Sequence, residues 1–285
     1  LIDDIADLDL AQFLNDLDDL AADVGDIVNI LDGISTVIGY ATSSDGKTWT
    51  VQNSQVLAGS GSAIWHSVGA PCVIKNSDTD YQMWYTRAKT DLDRDDIDNI
   101  LDDIADIDGF GIASLLGILD GTSTVIGYAT WDGVSANWTV TDSQVLPVGS
   151  NIGAWDSVAD PSVVKTGPSS YEMWYTNVKT NLIEANLHTL ANEIKGLGID
   201  ALWDTLNNDG LADFIVDLIA LDIDGIKNVL GGTSTVIGYA TSADGITWTV
   251  IDNEVLTGGS NLLNSVLDPC VIKDGNYKMW YTRLS

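Results

Sequence analysis

Basic residues are scarce in this 285-residue chain: 12 Lys and Arg stand against 42 Asp and Glu, a formal net charge of -30. A surface of that sign repels phosphate backbones and anionic lipid, which argues against nucleic acid as a partner. Long hydrophobic runs are also missing, and no stretch approaches the roughly eighteen apolar residues that a membrane-spanning helix needs. With two cysteines there is no disulfide framework. The only histidines, His66 and His188, fall in different kinds of segment, so a histidine metal site or a catalytic triad has no support. No glycine-rich phosphate loop follows a strand. The acidic surplus admits divalent cations such as calcium without naming a site. Asp209-Gly210 after Asn207-Asn208 hints at a calcium loop, but the closing Glu is absent and the segment reads as a turn between helices. The start at Leu1 suggests a processed product or a fragment, with any signal peptide already removed.

What is present is repetition. Ser35 to Thr42, Ser123 to Thr130 and Ser234 to Thr241 all read Ser-Thr-Val-Ile-Gly-Tyr-Ala-Thr. Each copy is followed by a turn and a Trp-Thr-Val strand, then a loop, a Pro-x-Val-x-Lys strand and a Tyr-x-Met-Trp-Tyr-Thr strand. Four strands per repeat predict a mainly β, propeller-like fold, one domain over residues 1–285 with three repeats. Between the strand modules lie acidic segments with apolar residues at spacings of three and four, at 1–33, 89–121 and 178–232. These predict amphipathic helices inserted within each unit.

The repeats are cut off-phase. The first Ser-Thr-Val and Trp-Thr-Val strands lack the two strands that precede them elsewhere, whereas 270–273 and 277–282 are spare. One expectation is that the N- and C-terminal strands share one four-stranded blade and close a ring of three; the other is that the next copy in a polymer uses them. Within the module, Tyr81, Met83 and Tyr85 share one face and Gln82, Trp84 and Thr86 the other. Cys72-Val73-Ile74, Ser162-Val163-Val164 and Cys270-Val271-Ile272 are apolar throughout, as innermost strands buried on both faces would be. Asp45-Gly46 and Asp244-Gly245 predict hairpin turns, and the longer Asp132 to Asn137 turn is expected to protrude. Cys72 and Cys270 hold one repeat position, where the middle repeat has Ser162; a disulfide across a closed ring is conceivable, and buried free thiols are the plainer reading.

The runs Gly39 to Trp49 and Asp268 to Tyr281 resemble blade motifs of the five-bladed propeller glycosidases and phosphorylases, the relatives of arabinanase, levansucrase and invertase. The Ser-x-Asp-Gly-x-Thr-Trp turn is similar to the sialidase Asp-box, one residue shorter. The helical inserts have no counterpart in that resemblance. It implies acids converging on a central axis, and Asp160 and Asp268, each before a proline, are the catalytic candidates; the first repeat has Ala70 there. The chain holds only four Glu, none at a position that chemistry wants.

Other candidates come from comparing the repeats. Ser67, Ser157 and Ser265 recur and read as structural, bonding loop backbone. The residues before them differ: His66, Asp156 and Asn264, beside Trp65 and Trp155, form a candidate sugar-binding rim, against the plainer reading of unrelated loop residues over buried tryptophans. Asn137-Trp138-Thr139 is a glycosylation sequon. The resulting expectation is an extracellular or cell-surface structural protein that associates with copies of itself into a fibre, layer or appendage. The alternative is a carbohydrate-binding or glycoside-hydrolase-like propeller.

Overall fold

The computed structural model describes residues 35–59, 66–90, 122–146, 157–179, 233–259 and 264–284. The predicted helical segments lie outside these residues, except that 89–90 and 178–179 are strand, so the Met-Trp-Tyr-Thr strands run two residues into the segments predicted as helical.

Among the described residues, twelve antiparallel strands form four sheets in chain order. An N-terminal half-sheet pairs β1 (Ile38–Thr42) with β2 (Thr50–Leu57). The first full sheet orders β3 (Val68–Ser77), β4 (Asp80–Thr90), β5 (Thr122–Trp131) and β6 (Thr139–Asp142). The second full sheet repeats it with β7 (Val158–Gly167), β8 (Ser170–Lys179), β9 (Ser234–Ser242) and β10 (Trp248–Leu256). A C-terminal half-sheet pairs β11 (Val266–Asp274) with β12 (Asn276–Arg283).

Register is the same in both full sheets. Met83, Trp84 and Tyr85 lie opposite Ala129, Tyr128 and Gly127, and Met173, Trp174 and Tyr175 lie opposite Ala240, Tyr239 and Gly238. The invariant glycine has a steric cause. A Cβ at Gly127 would sit 2.6 Å from Cζ of Tyr85, and at Gly238 2.4 Å from Cζ of Tyr175, because each tyrosine ring lies flat across the glycine of the neighbouring strand.

Turn chemistry also recurs. The carboxylates of Asp45, Asp132 and Asp244 accept backbone N–H groups two and three residues on, at 2.7 to 3.0 Å. Donation by the backbone of Thr48 and Thr247, and at Asp132 chiefly by the Ser135 hydroxyl, holds all three carboxyls down at about 2. In the middle repeat the lengthened turn is exposed, with Val134 at its tip.

The sheets pack face to face through single layers of rings. Between the full sheets, Trp84 is wholly buried, 5.5 Å from Tyr128, 5.9 Å from Tyr171 and 6.2 Å from Trp248 between ring centroids, and its Nε1 donates to the Gly245 carbonyl at 2.8 Å. At the next junction Trp174 packs likewise on Tyr239 (5.2 Å) and Tyr277 (5.4 Å). Successive edge strands are also bonded to each other: the Val163 N–H donates to Cys72 Sγ at 3.2 Å and the Val271 N–H to Ser162 Oγ at 2.9 Å.

Two expectations are corrected. Ring closure within one chain does not occur among the described residues: β1–β2 and β11–β12 remain separate two-stranded sheets. Consequently only β7, flanked on both sides by β3 and β11, is the buried strand expected of all three; β3 and β11 are largely exposed. Cys72 and Cys270 are free, and Cys270 is exposed, since it has no following sheet to cover it.

Candidate functional site

The catalytic candidates meet where the edge strands line up. Before each proline, β3, β7 and β11 slip register and bulge, and Ala70, Asp160 and Asp268 take left-handed backbone conformations, with φ of 46°, 52° and 54°. At Asp160 and Asp268 the backbone N–H reaches the preceding sheet. The Asp160 N–H donates to Thr86 Oγ1 at 2.8 Å, and the Asp268 N–H donates to Thr176 Oγ1 at 3.0 Å. The Thr176 hydroxyl in turn donates to Asp160 Oδ2 at 2.8 Å. Thr86 and Thr176 occupy one repeat position, at the end of Met-Trp-Tyr-Thr.

The Asp160 and Asp268 carboxyls come within hydrogen-bonding range of each other. Burial pushes the Asp160 carboxyl above the usual aspartate range; the Thr176 hydroxyl opposes that, and the like charge of Asp268 adds to it. Two carboxyls in contact can share a proton. They stand closer than the ~5 Å or more that separates the acids of glycosidases. A raised value in the fold means that stability falls as pH rises through it. Asp160→Asn, which keeps an oxygen to accept Thr176, is therefore expected to raise Tm at pH 7 and to leave it unchanged near pH 3. A lower Tm at pH 7 would show that the ionised carboxylate is needed.

The predicted rim is only partly described. Trp65, Trp155 and Asp156 lie outside the described residues. His66 is half-buried, with Nδ1 buried and without a hydrogen-bond partner, and Asn264 is half-buried at the equivalent position. These two are not brought to Asp160 and Asp268 by any described contact. Ser67, Ser157 and Ser265 are structural: each Oγ accepts the N–H of Thr36, Thr124 or Thr235 at 2.9 to 3.0 Å, tying the loop before an edge strand to the Ser-Thr-Val strand. Asn137 is exposed on its hairpin, and its Oδ1 accepts the Asn53 Nδ2 at 3.5 Å. Among the described residues no group of three or more His, Cys, Asp or Glu is placed to hold a metal, and the Asp209-Gly210 loop lies outside them. No described helix is long and apolar enough to cross a membrane.

Two features escaped the sequence reading. The threonine hydroxyls that link adjacent sheets could have been found from their recurrence at 86, 176 and 282. The second is an apolar cleft of about 490 Å³ between the N-terminal half-sheet and the first full sheet, walled by Tyr40, Val73, Tyr81, Met83, Trp131 and Trp138. No protein-family model matches the chain, and no curated protein matches it.

Proposed function

We propose that this chain is a structural repeat protein whose propeller-like units assemble with copies of itself, at a cell surface or outside the cell, into a fibre, layer or appendage. One observation carries the reading: the row of sheets has a two-stranded half-sheet at each end, and each half holds the two strands that the other lacks. Unpaired strand edges that carry large apolar side chains favour pairing with another chain. The exposed sequon at Asn137 and the net charge of -30 suit an extracellular setting. The blade-like likeness to propeller glycosidases belongs to the same reading as a likeness of architecture. Hydrolysis is the poorer reading, because Asp160 and Asp268 are in contact with each other and not spaced across a substrate.

Light scattering coupled to size exclusion tests it. Particles at multiples of 30.4 kDa, with mass rising with protein concentration, are the expected result. A strict monomer at all concentrations overturns the reading.

A further inference from the structure

Among the described residues the outer edges of β12 and β1 are unpaired, and they carry the same residues that pair inside the chain, which fixes a register. In both full sheets a Tyr-x-Met-Trp-Tyr-Thr strand pairs with a Ser-Thr-Val-Ile-Gly-Tyr-Ala-Thr strand, Trp opposite Tyr and Tyr opposite Gly. The third strand of the first kind is β12, and the third of the second kind is β1. Trp84 and Trp174 are 0% and 8% exposed, whereas Trp280 is 58% exposed; Tyr85 and Tyr175 are each 1% exposed and Tyr281 is 44%. Tyr40, the counterpart of buried Tyr128, is 40% exposed.

Resting on the assembly reading, we infer that β12 of one copy pairs antiparallel with β1 of a second copy, Trp280 opposite Tyr40 and Tyr281 opposite Gly39, with the Trp280 ring filling the cleft beside the second copy's β1. The cleft is the counterpart of the space that Trp84 fills. Trp84 lies against Tyr128, Tyr171 and Trp248, and the matching positions in the other junction are Tyr40, Tyr81 and Trp138, all three of which wall the cleft.

Gly39 points the same way. Gly127 and Gly238 are required because a tyrosine ring crosses them, yet the nearest atoms to a Cβ at Gly39 are backbone atoms of Ser54 and Asn53, the closest at 3.3 Å. In the pairing, Tyr281 of the other copy supplies the ring. The edge-strand bonds also extend: as Val163 donates to Cys72 and Val271 to Ser162, Val73 would donate to the exposed Cys270, and Thr282 would accept the Ala70 N–H as Thr86 accepts that of Asp160.

The test uses the full chain with Cys72→Ser and Cys270→Ser, a residue already native at Ser162, and adds Arg283→Cys with Val37→Cys. Those two positions match the Arg87–Val125 and Asn177–Val236 pairs. Mild oxidation is expected to give disulfide-linked species of two or more chains on a non-reducing gel, and Arg283→Cys with Thr42→Cys is expected to give none. Trp280→Ala, in the otherwise unaltered chain, is expected to weaken association about 30-fold or more while leaving monomer unfolding nearly unchanged. A disulfide confined to single chains, or no disulfide, overturns the inference. If the unaltered chain still associates in that case, the assembly reading survives and only this contact falls; if it never associates, both fall.

Discussion

Replacing Trp84 with alanine is expected to cost about 3–5 kcal/mol of stability, the range for deleting a fully buried aromatic ring. The ring is wholly inaccessible, touches three other rings, and donates its only N–H to the Gly245 carbonyl. Its loss leaves a void between the two full sheets and takes from the Gly245 carbonyl one of its two indole donors, the other being Trp248 Nε1 at 3.0 Å. Urea denaturation followed by circular dichroism gives the value. The same change at Trp280, which is 58% exposed, is expected to stay within about 0.5 kcal/mol in the monomer. A small effect at Trp84 would mean that the sheets do not depend on this layer.

Gly238→Ala is the second large effect. The new methyl would lie 2.4 Å from Tyr175 Cζ, and the ring has nowhere to go: Tyr175 is buried, and its hydroxyl reaches Asn253 Oδ1 at 3.3 Å. Burial, with the nearby Asp252 carboxylate adding, pushes the phenol up to about 12, so it stays a neutral donor. Overpacking of this kind costs typically about 1–3 kcal/mol. A double-mutant cycle with Tyr175→Ala isolates the clash, because removing the ring makes room for the methyl. Thermal unfolding of the four proteins is expected to show the alanine at 238 harmful with tyrosine present and nearly neutral without it. Equal penalties in both backgrounds would place the cause in strand backbone and not in the ring.

Much of this was legible in the residues. The repeated octapeptide, the Asp-Gly turns and the period-two pattern of Tyr-x-Met-Trp-Tyr identify four strands per unit, because local turn chemistry and strand alternation are properties of short segments. The equivalence of Ser67, Ser157 and Ser265 was visible for the same reason. Closure was not, since the angle between stacked sheets depends on ring packing across a junction and no single motif encodes it. The convergence of Asp160 and Asp268 was expected only through resemblance. The left-handed bulge that produces it runs against the extended preference of a residue before proline, so sequence rules point away from it. The helical inserts predicted at 1–33, 89–121 and 178–232 fall on residues that are not described, save for the two short overlaps in β4 and β8.

The bulges at Ala70, Asp160 and Asp268 have a bearing on how the chain melts. A residue other than glycine held in the left-handed region costs on the order of 1 kcal/mol or more, and the cost is tolerated only where surroundings enforce it. At Asp160 and Asp268 the enforcing group belongs to the sheet before, through the hydroxyls of Thr86 and Thr176. Those two bulges are therefore tied to the neighbouring sheet, whereas Ala70 takes the same conformation with no such hydroxyl bonded to it among the described residues. Loss of the Thr86 or Thr176 hydroxyl is thus expected to loosen the bulge of the sheet that follows, so that part of each later sheet's shape is borrowed from the one before.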